Sequence, residues 1–326
     1  MTKKTVLIMS TGGTIAAAAE PGKSTGYIGG GLSPDVILES VPGIEKVANI
    51  QTEQICNVNS NYITGQDWLK IANRINELDV NDSVDGFVIT HGTDTIEETA
   101  YFMNLVCKTK KPVVFTGAMR PSTSLSADGP MNLYQSVLVA VNNEAVDMPV
   151  MIVMNDQIHS ARAAQKDSTY LLNAISSYEL GVLGYIRGDE AYFIHSGKVV
   201  KNKTETEFDI SDVQQLAKVN IVYYSIGADL EMLKHAVEIS DGVVVAGAGE
   251  GGMSHEHREF IKRSKVPIVT SFRSTPSSVT GVQIRSEASV PSTYLNPQKA
   301  AVLLKVALST NPNRTVEDLK RIFDLY

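Results

Sequence analysis

The stretch VDGFVITHGTDTIEETAYFMNLVCK, residues 84–108, holds the pattern that decides the fold. It predicts a buried β-strand from Val84 to Thr90, a short turn of hydroxyl side chains and glycine, and a helix from Thr95 to Lys108. Short β-branched runs alternate with helical stretches on both sides of it, as is typical of a parallel sheet covered by helices. The sequence therefore predicts an α/β fold.

Further strands and helices are predicted outward from this unit. Strands are expected at Val6 to Ser10, Pro112 to Gly117, Val150 to Met154, Val219 to Ser225, Gly242 to Ala246 and Pro267 to Ser271. Helices are expected at Gly65 to Leu78, Pro130 to Asn142, Asp229 to Ile239 and Glu256 to Ser264, with two more at the C-terminal end. Three helix starts carry capping signals, namely Thr64 with Asp67, Asn296 with Pro297, and Thr315 with Asp318.

The length of 326 residues suits two domains, each large enough to bury its own core. The segment from Ser196 to Phe208 is polar and lysine-rich, and it is the most linker-like part of the chain. We predict a larger N-terminal domain with a mostly parallel sheet flanked by helices at residues 1–195. A linker at 196–212 then leads to a smaller C-terminal parallel-sheet domain at 213–326.

Composition and charge exclude several classes of function. A net charge of −7 with scattered lysine and arginine argues against nucleic-acid or anionic-membrane surfaces, and no window is apolar enough for a membrane helix. Cys56, Cys107 and the dispersed histidines match no zinc or redox pattern, so we expect neither a metal nor a cofactor. The apolar run Thr5 to Met9 is too short for a signal peptide, which predicts a cytoplasmic protein. A periplasmic protein whose export signal had been removed would look the same.

The chemistry is expected beyond the carboxyl ends of the strands, where open parallel sheets bind ligands. Four such places are rich in hydroxyls, glycine or polar side chains: TGGTIA at 11–16, THGTDT at 90–95, GAMRP at 117–121 and Asn155-Asp156. Glycines beside Thr14 allow a close backbone approach and expose N–H groups to an oxyanion, so Thr14 is a candidate nucleophile. Each loop taken alone is equally compatible with an ordinary turn, with Asp94 or Thr95 only capping a helix and Lys166 solvated on the surface.

These segments resemble the bacterial-type L-asparaginases, particularly their type II branch. The resemblance rests on TGGTIA at 11–16, VITHGTDTIEETA at 88–100, GAMRP at 117–121, SADGP at 126–130, MND at 154–156 and LNPQKA at 295–300. It extends over essentially the whole chain.

The resemblance implies conversion of L-asparagine and water to L-aspartate and ammonia. Thr14 is the favoured nucleophile, which would attack the amide to form an acyl-enzyme, with Thr93 positioning or activating the water; the sequence leaves open which of the two threonines attacks first. Tyr27 would belong to a glycine-rich loop that closes over the substrate. Thr93, Asp94 and Lys166 would form a group in which a neutral lysine amine accepts a proton.

The resemblance also implies a set of substrate-binding residues and an assembly. The substrate-binding residues would be Gly13, Ser60, Asn61, Thr93, Asp94, Ala118 and, from a neighbouring subunit, Glu287. Ser60 and Asn61 would hold the α-carboxylate and α-amine, Asp94 would pair with the amine, and the Gly13 and Thr93 N–H groups would stabilise the oxyanion. The assembly would be a homotetramer, a dimer of dimers with shared active sites.

Three departures from the family pattern affect recognition of the α-amine. Asn61 replaces a longer side chain, Gly252 cannot supply a side-chain amide, and the stretch Gln283 to Ser292 is shorter than in relatives. We therefore expect weaker discrimination at the α-amine, which keeps glutamine and α-N-modified asparagine open as substrates.

Two alternatives are not amide hydrolases. A catalytically silent amide-binding protein remains open, because a fold does not guarantee a function. The pattern GAGEGG at 247–252 satisfies a dinucleotide-binding motif, but the next predicted strand ends without an acidic residue for a ribose.

Overall fold

The computed structural model describes residues 3–17, 34–80, 83–196, 203–275, 277–279 and 288–326. The chain divides into two compact units, residues 1–206 and 207–326. Within the linker predicted at 196–212, residues 197–202 lie outside the described residues.

The first unit contains a large sheet and the helices that cover it. The described strands of this unit are β1 Thr5–Gly12, β2 Asn49–Val58, β3 Gly86–Thr90, β4 Val113–Thr116, β5 Met151–Met154, β6 Gln157–Ser160, β7 Gln165–Lys166, β8 Ile175–Ser176, β9 Gly184–Arg187 and β10 Glu190–Phe193. Among these described strands, β7 and β8 pair only with each other, and the other eight form the large sheet. The helices of this unit are α1 Pro34–Glu39, α2 Ile44–Val47, α3 Gly65–Asp79, α4 Ile96–Val106 and α5 Gly129–Val141.

Among the described residues the large sheet has eight strands in the order β10-β9-β6-β5-β4-β3-β1-β2. The five strands from β5 to β2 pair in parallel, and β6, β9 and β10 extend the sheet antiparallel. The predicted mostly parallel sheet is therefore confirmed. The edge strand β2 was not predicted, because Ile55 is its only fully buried residue and its polar sequence lacks the apolar run of a central strand.

Central strands β3 and β4 are buried along their whole length, which explains their continuous apolar sequence. Helix α5 packs closely on this sheet, since a Cβ at Gly86 would come within 2.6 Å of the Ala140 carbonyl oxygen. Helix α3 begins with the predicted capping box: Thr64 accepts from the Asp67 N–H, and Asp67 accepts from the Thr64 N–H.

The second unit is a smaller sheet whose described strands run in chain order. They are β11 Val219–Tyr223, β12 Gly242–Gly247, β13 Ile268–Phe272 and β14 Ser289–Pro291, and each neighbouring pair is parallel. The helices are α6 Leu230–Glu238, α7 His255–Arg263, α8 Pro297–Thr310 and α9 Val316–Leu325. Asn296 and Thr315 cap the last two helices as predicted. In the part of the chain that the structure describes, no helix is long and apolar enough to cross a bilayer.

Candidate active site

The glycine loop after β1 is pressed against the loop after β3. The pairing of β1 with β2 shifts register between Ser10 and Gly12, and Gly13 follows with φ 81°. A Cβ at Gly13 would lie 2.4 Å from the backbone nitrogen of Gly92. Only glycine permits this approach of two backbones, and the contact places Thr14 beside the THGTDT loop.

A third loop joins the contact from the far end of β2. A Cβ at Gly92 would lie 2.8 Å from Ser60 Oγ, so the serine side chain lies directly on the glycine. The side chain of Asn59 caps the 3-10 turn Ser60–Tyr62 by accepting from the Asn61 N–H at 3.3 Å. Three segments far apart in sequence thus meet through atoms that leave no room for larger residues.

The side-chain nitrogen of Lys166 connects the hydroxyl and the carboxylate of the THGTDT loop. Lys166 Nζ donates to Thr93 Oγ1 at 2.8 Å and to Asp94 Oδ1 at 2.5 Å. The Lys166 side chain is only 12% exposed, whereas that of Asp94 is 54% exposed. Lys166 is held in the short hairpin of β7 and β8, where it pairs with Ile175. It is therefore a partly buried member of the cluster and not a solvated surface lysine.

These groups surround a cavity of about 310 Å³. Its lining consists of Gly13, Thr14, Asn59, Ser60, Gly92, Thr93, Asp94, Met119, Lys166 and Thr169. The volume lies at the small end of the range for ligand pockets, which suits a molecule of amino-acid size. A candidate nucleophile, a candidate base and a carboxylate therefore share one small polar cavity.

The loop after β4 is held by two side chains of the α5 region. Asp128 accepts from the backbone N–H groups of Met119 and Arg120, both at 2.9 Å. Asn132, which is buried, donates to the Gly117 carbonyl at 2.9 Å and accepts from the Asn155 N–H at 3.0 Å. The Asp128 carboxylate and the Asn132 amide thus connect the third and fourth predicted loops.

His91 supports the peptide that leads to Thr93. Its Nδ1 lies 2.7 Å from the Gly92 carbonyl oxygen, and its ring is fully buried beside Phe115. Burial lowers the pKa of His91 to about 4, so the ring is neutral near pH 7. Because a carbonyl only accepts, the proton of the neutral ring is assigned to Nδ1.

The structure brings together six of the predicted site residues: Gly13, Thr14, Ser60, Thr93, Asp94 and Lys166. Asn61 is exposed and Ala118 is buried, and neither is among the residues that line the cavity. Tyr27 and Glu287 lie outside the described residues. Gly92 and Met119 also line the cavity and belong to two of the loops predicted to carry the chemistry, although neither was named as a site residue; Asn59 and Thr169 line it and were not predicted. An asparagine just before a turn is a recognisable capping signal that could have identified Asn59.

The backbone N–H of Gly13, which was predicted as an oxyanion donor, donates to the Val58 carbonyl at 3.1 Å, at the point where β1 and β2 separate. Gly13 shapes the cavity through its missing side chain. The stabilisation of an oxyanion by the Gly13 and Thr93 N–H groups stays a prediction.

The two cysteines lie outside the cavity lining and are not candidates for the nucleophile. Cys56 and Cys107 are free thiols, and burial raises the pKa of Cys56 to about 11 and that of Cys107 to about 12. Both are therefore thiols and not thiolates near pH 7. Over the described ranges, no group of three or more His, Cys, Asp or Glu side chains has the arrangement of a metal site.

Comparison with known proteins finds related domains in both parts of the chain. The family model "Asparaginase, N-terminal" matches residues 5–198, and "Glutaminase/Asparaginase C-terminal domain" matches residues 218–323. L-asparaginase 2 of Bacillus subtilis (strain 168) is 40% identical, with 96% of this chain and 84% of the relative covered. The glutaminase-asparaginase of Acinetobacter glutaminasificans is 38% identical, with 97% and 99% covered.

A solved structure extends the agreement to the fold. The crystal structure of a probable cytoplasmic L-asparaginase from Campylobacter jejuni superposes with a TM-score of 0.94 at 38% identity, covering 99% of this chain and 100% of that one. The matched domains, the identities and the superposition together establish that this chain belongs to the asparaginase family.

Proposed function

We propose that this protein hydrolyses the side-chain amide of L-asparagine, giving L-aspartate and ammonia. The observation that carries the proposal is the cavity in which Thr14 shares the wall with Thr93, Asp94 and Lys166. Relatives over nearly the full chain bear the names L-asparaginase and glutaminase-asparaginase, which supports the same substrate class.

In the proposed mechanism the Thr14 hydroxyl oxygen attacks the carboxamide carbon. The C–N bond then breaks, the hydroxyl proton reaches the leaving nitrogen by way of a base, and ammonia departs from an ester at Thr14. Water attacks this ester, which releases L-aspartate and returns a proton to the Thr14 oxygen. Each half-reaction thus conserves the proton that the nucleophile gives up.

Thr93 and Lys166 are proposed to move this proton. The 2.8 Å contact between Lys166 Nζ and Thr93 Oγ1 is a distance at which a proton passes directly between the two atoms. Lys166 must be neutral at the moment it accepts a proton, and Asp94 holds the amine in place at 2.5 Å. The Thr93 N–H is proposed to stabilise the oxyanion.

Ser60 and Asp94 are proposed to hold the α-groups of the substrate. Ser60 is buried at the cavity wall, and the half-exposed Asp94 carboxylate suits an α-ammonium group. Asn61 lies off the cavity wall, which favours the second candidate function, hydrolysis of glutamine or of asparagine modified on its α-amine. A catalytically silent amide-binding protein is the alternative that the following assay addresses.

The test measures ammonia release from L-asparagine, L-glutamine and an α-N-substituted asparagine. We expect asparagine hydrolysis by the wild type and a loss on the order of 1,000-fold or more in Thr14→Ala. Thr14→Ser keeps a hydroxyl and is the matched control, with partial activity expected. Wild-type activity in Thr14→Ala would refute the nucleophile, and no release from any amide would favour the silent binding protein.

A homotetramer with shared sites is proposed for the assembly, and the cytoplasm for its location. The solved relative named a cytoplasmic L-asparaginase supports the location. For the assembly, Thr14→Ala and Glu287→Ala chains would be co-expressed. Shared sites predict that mixed assemblies recover part of the activity that each variant alone lacks, whereas sites contained in one chain predict no recovery.

A further inference from the structure

We propose that Thr95 is a positioning residue for the proposed amide hydrolysis. Its hydroxyl donates to the Ser60 carbonyl oxygen at 3.0 Å and thereby holds the Ser60 turn against the loop of Thr93 and Asp94. Thr95 does not line the cavity, so it acts through these neighbours. The inference rests on the proposed function, because it concerns recognition of that substrate.

Thr95 occupies a helix start but does not use its hydroxyl there. It stands at the N-cap of α4, and its side chain makes no capping hydrogen bond. The N–H groups of Glu98 and Thr99 bond to its carbonyl oxygen instead, both at 3.2 Å. Threonine at this position ordinarily accepts from the N–H two or three residues on, a contact that stabilises a helix by about 1 kcal/mol. The Thr95 hydroxyl is directed away from its own helix and toward another loop.

Two other threonines at helix starts show the ordinary arrangement. Thr64 accepts from the Asp67 N–H at 3.3 Å, and Thr315 accepts from the Asp318 N–H at 3.1 Å. Both belong to complete capping boxes. The contrast assigns the Thr95 hydroxyl to a contact between loops rather than to helix capping.

The Ser60 carbonyl is fixed by two donors. It accepts from Thr95 Oγ1 at 3.0 Å and from the Ile63 N–H at 3.2 Å, which together can occupy both lone pairs of the oxygen. Ser60 itself is only 3% exposed, and its side chain lies against Gly92 in the cavity wall. Removing one donor frees the turn to shift, and a shift displaces Ser60 Oγ from its position against Gly92 in the cavity wall.

No flexible segment separates Thr95 from the groups it aligns. Asp94 is its immediate neighbour in the chain, and Thr93 is two residues away. A displacement between the Ser60 turn and this loop therefore changes the distance between two walls of the same cavity. Ground-state binding of the α-groups is affected first, because the Thr95 hydroxyl contacts the Ser60 turn and takes no part in the contacts that Lys166 makes with Thr93 and Asp94.

The test compares Thr95→Val with Thr95→Ser in steady-state hydrolysis of L-asparagine. Valine keeps the branched shape without the hydroxyl, and we expect KM to rise about 10-fold while kcat changes by less than about 3-fold. Thr95→Ser retains the donor and is expected to keep KM within about 2-fold of the wild type. If Thr95→Val does not fold, Thr95→Ala provides the same comparison.

Thr315→Val is the matched control for loss of a threonine at a helix start. It removes a true cap, so its Tm is expected to fall while its KM stays at the wild-type value. A Thr95→Val protein that loses Tm but keeps the wild-type KM would show a merely structural role and would overturn the inference.

A double-mutant cycle with Ser60→Ala tests the route of the effect. If Thr95 acts through Ser60, Thr95→Val raises KM by less than about 2-fold in the Ser60→Ala background. Two effects that multiply fully would overturn the inference. If the wild type hydrolyses asparagine and Thr95→Val has the wild-type KM, this inference alone is refuted. If the wild type does not hydrolyse asparagine, the proposed function is refuted together with it.

Discussion

Two glycine-rich loops follow buried parallel strands in this molecule, and they are closed in different ways. The loop after β1 meets a separate segment, because a Cβ at Gly13 would lie 2.4 Å from Gly92 N. The loop after β12 closes on itself: the Ala248 N–H donates to the Gly252 carbonyl at 2.8 Å, and the Gly252 N–H donates to the Ala248 carbonyl at 2.5 Å. A Cβ at Gly247 would accordingly lie 2.4 Å from the carbonyl carbon of Gly251, within the same loop.

This difference explains why the loop after β1 forms part of a cavity, whereas the loop after β12 matches a nucleotide-binding motif in sequence but not in structure. A phosphate cradle needs N–H groups that point outward, whereas those of Ala248 and Gly252 are used inside the loop. The neighbouring strand β13 ends in Phe272 and is followed by Arg273, so it offers no acidic residue to a ribose. The two loops are alike in glycine content. They differ in the backbone that their glycines contact, which is a separate segment for Gly13 and the same loop for Gly247.

The largest effect is expected when the contact between loops is broken at Gly13. In Gly13→Ala the new methyl group meets backbone atoms of Gly92 and the residue keeps a strained φ of 81°. We expect ammonia release to fall on the order of 100-fold or more, since small displacements of catalytic groups have effects of this size. Steady-state kinetics on a folded sample checks this.

Gly43→Ala is the control for backbone strain without a collision. Gly43 has a similar φ of 87°, and nothing lies within 4 Å of a Cβ there. It should lose about 1–2 kcal/mol of stability and keep wild-type kinetics. Equal activity losses in both variants would mean that strain, and not the Gly13–Gly92 contact, matters.

The Gly247→Ala substitution should break the self-closed loop and lower the free energy of unfolding by about 3 kcal/mol. Its new methyl group collides with the Gly251 backbone, which the hydrogen bonds of the loop hold in place. The matched variant is Gly249→Ala in the same loop, where a Cβ meets nothing within 4 Å at φ 52°. Its expected cost is about 1–2 kcal/mol from the left-handed conformation alone. Urea unfolding of both variants checks the order, and a larger loss in Gly249→Ala would contradict the self-closed description.

Acid should weaken the loop that contains His91. The unfolded chain takes up a proton on this histidine as the pH falls through 6.5, whereas burial delays protonation in the folded state to about 4. Stability from the neutral ring is thus present above pH 6.5 and is lost between pH 6.5 and 4. Between pH 7 and pH 5 this single group should lower the free energy of unfolding by about 2 kcal/mol.

The difference in urea unfolding between wild type and His91→Asn isolates this contribution. The variant should lose about 2 kcal/mol less than the wild type when the pH is lowered from 7 to 5. Burial also lowers the pKa of His257 in the second unit. A His257→Asn variant is therefore expected to change the pH dependence in the same direction as His91→Asn. Identical pH dependence in wild type and His91→Asn would refute the assignment.

The sequence predicted those parts of the molecule whose physical cause is local. Strands β3 and β4 are buried on both faces, so their apolar runs are continuous and recognisable. The edge strand β2 alternates polar residues and was missed. The Val58 carbonyl lies at its end, and this acceptor occupies the Gly13 N–H. The contact between the Gly13 N–H and this strand could therefore not be predicted from the sequence.

The candidate site depended on information that no local pattern contains. The polar stretch around Lys166 gave no sign that its amine reaches Thr93, 73 residues earlier in the chain. That pairing was expected from the resemblance to a family and not from spacing. Thr95 was considered only as a helix cap, because the Ser60 carbonyl that binds its hydroxyl lies 35 residues away.

The smallest effects are expected at the helix capping boxes, which occur in both units. Thr64→Ala and Thr315→Ala each remove a capping box with the same geometry, and each should cost about 1 kcal/mol of stability. Because Thr315 caps a helix of the second unit and is not among the residues that line the cavity, Thr315→Ala should leave KM unchanged. Thr64 follows the Ser60–Tyr62 turn by two residues, so a rise in KM only in Thr64→Ala would mean that this cap also steadies the turn. Equal stability losses with unchanged KM in both variants would instead mean that each cap stabilises only its own helix.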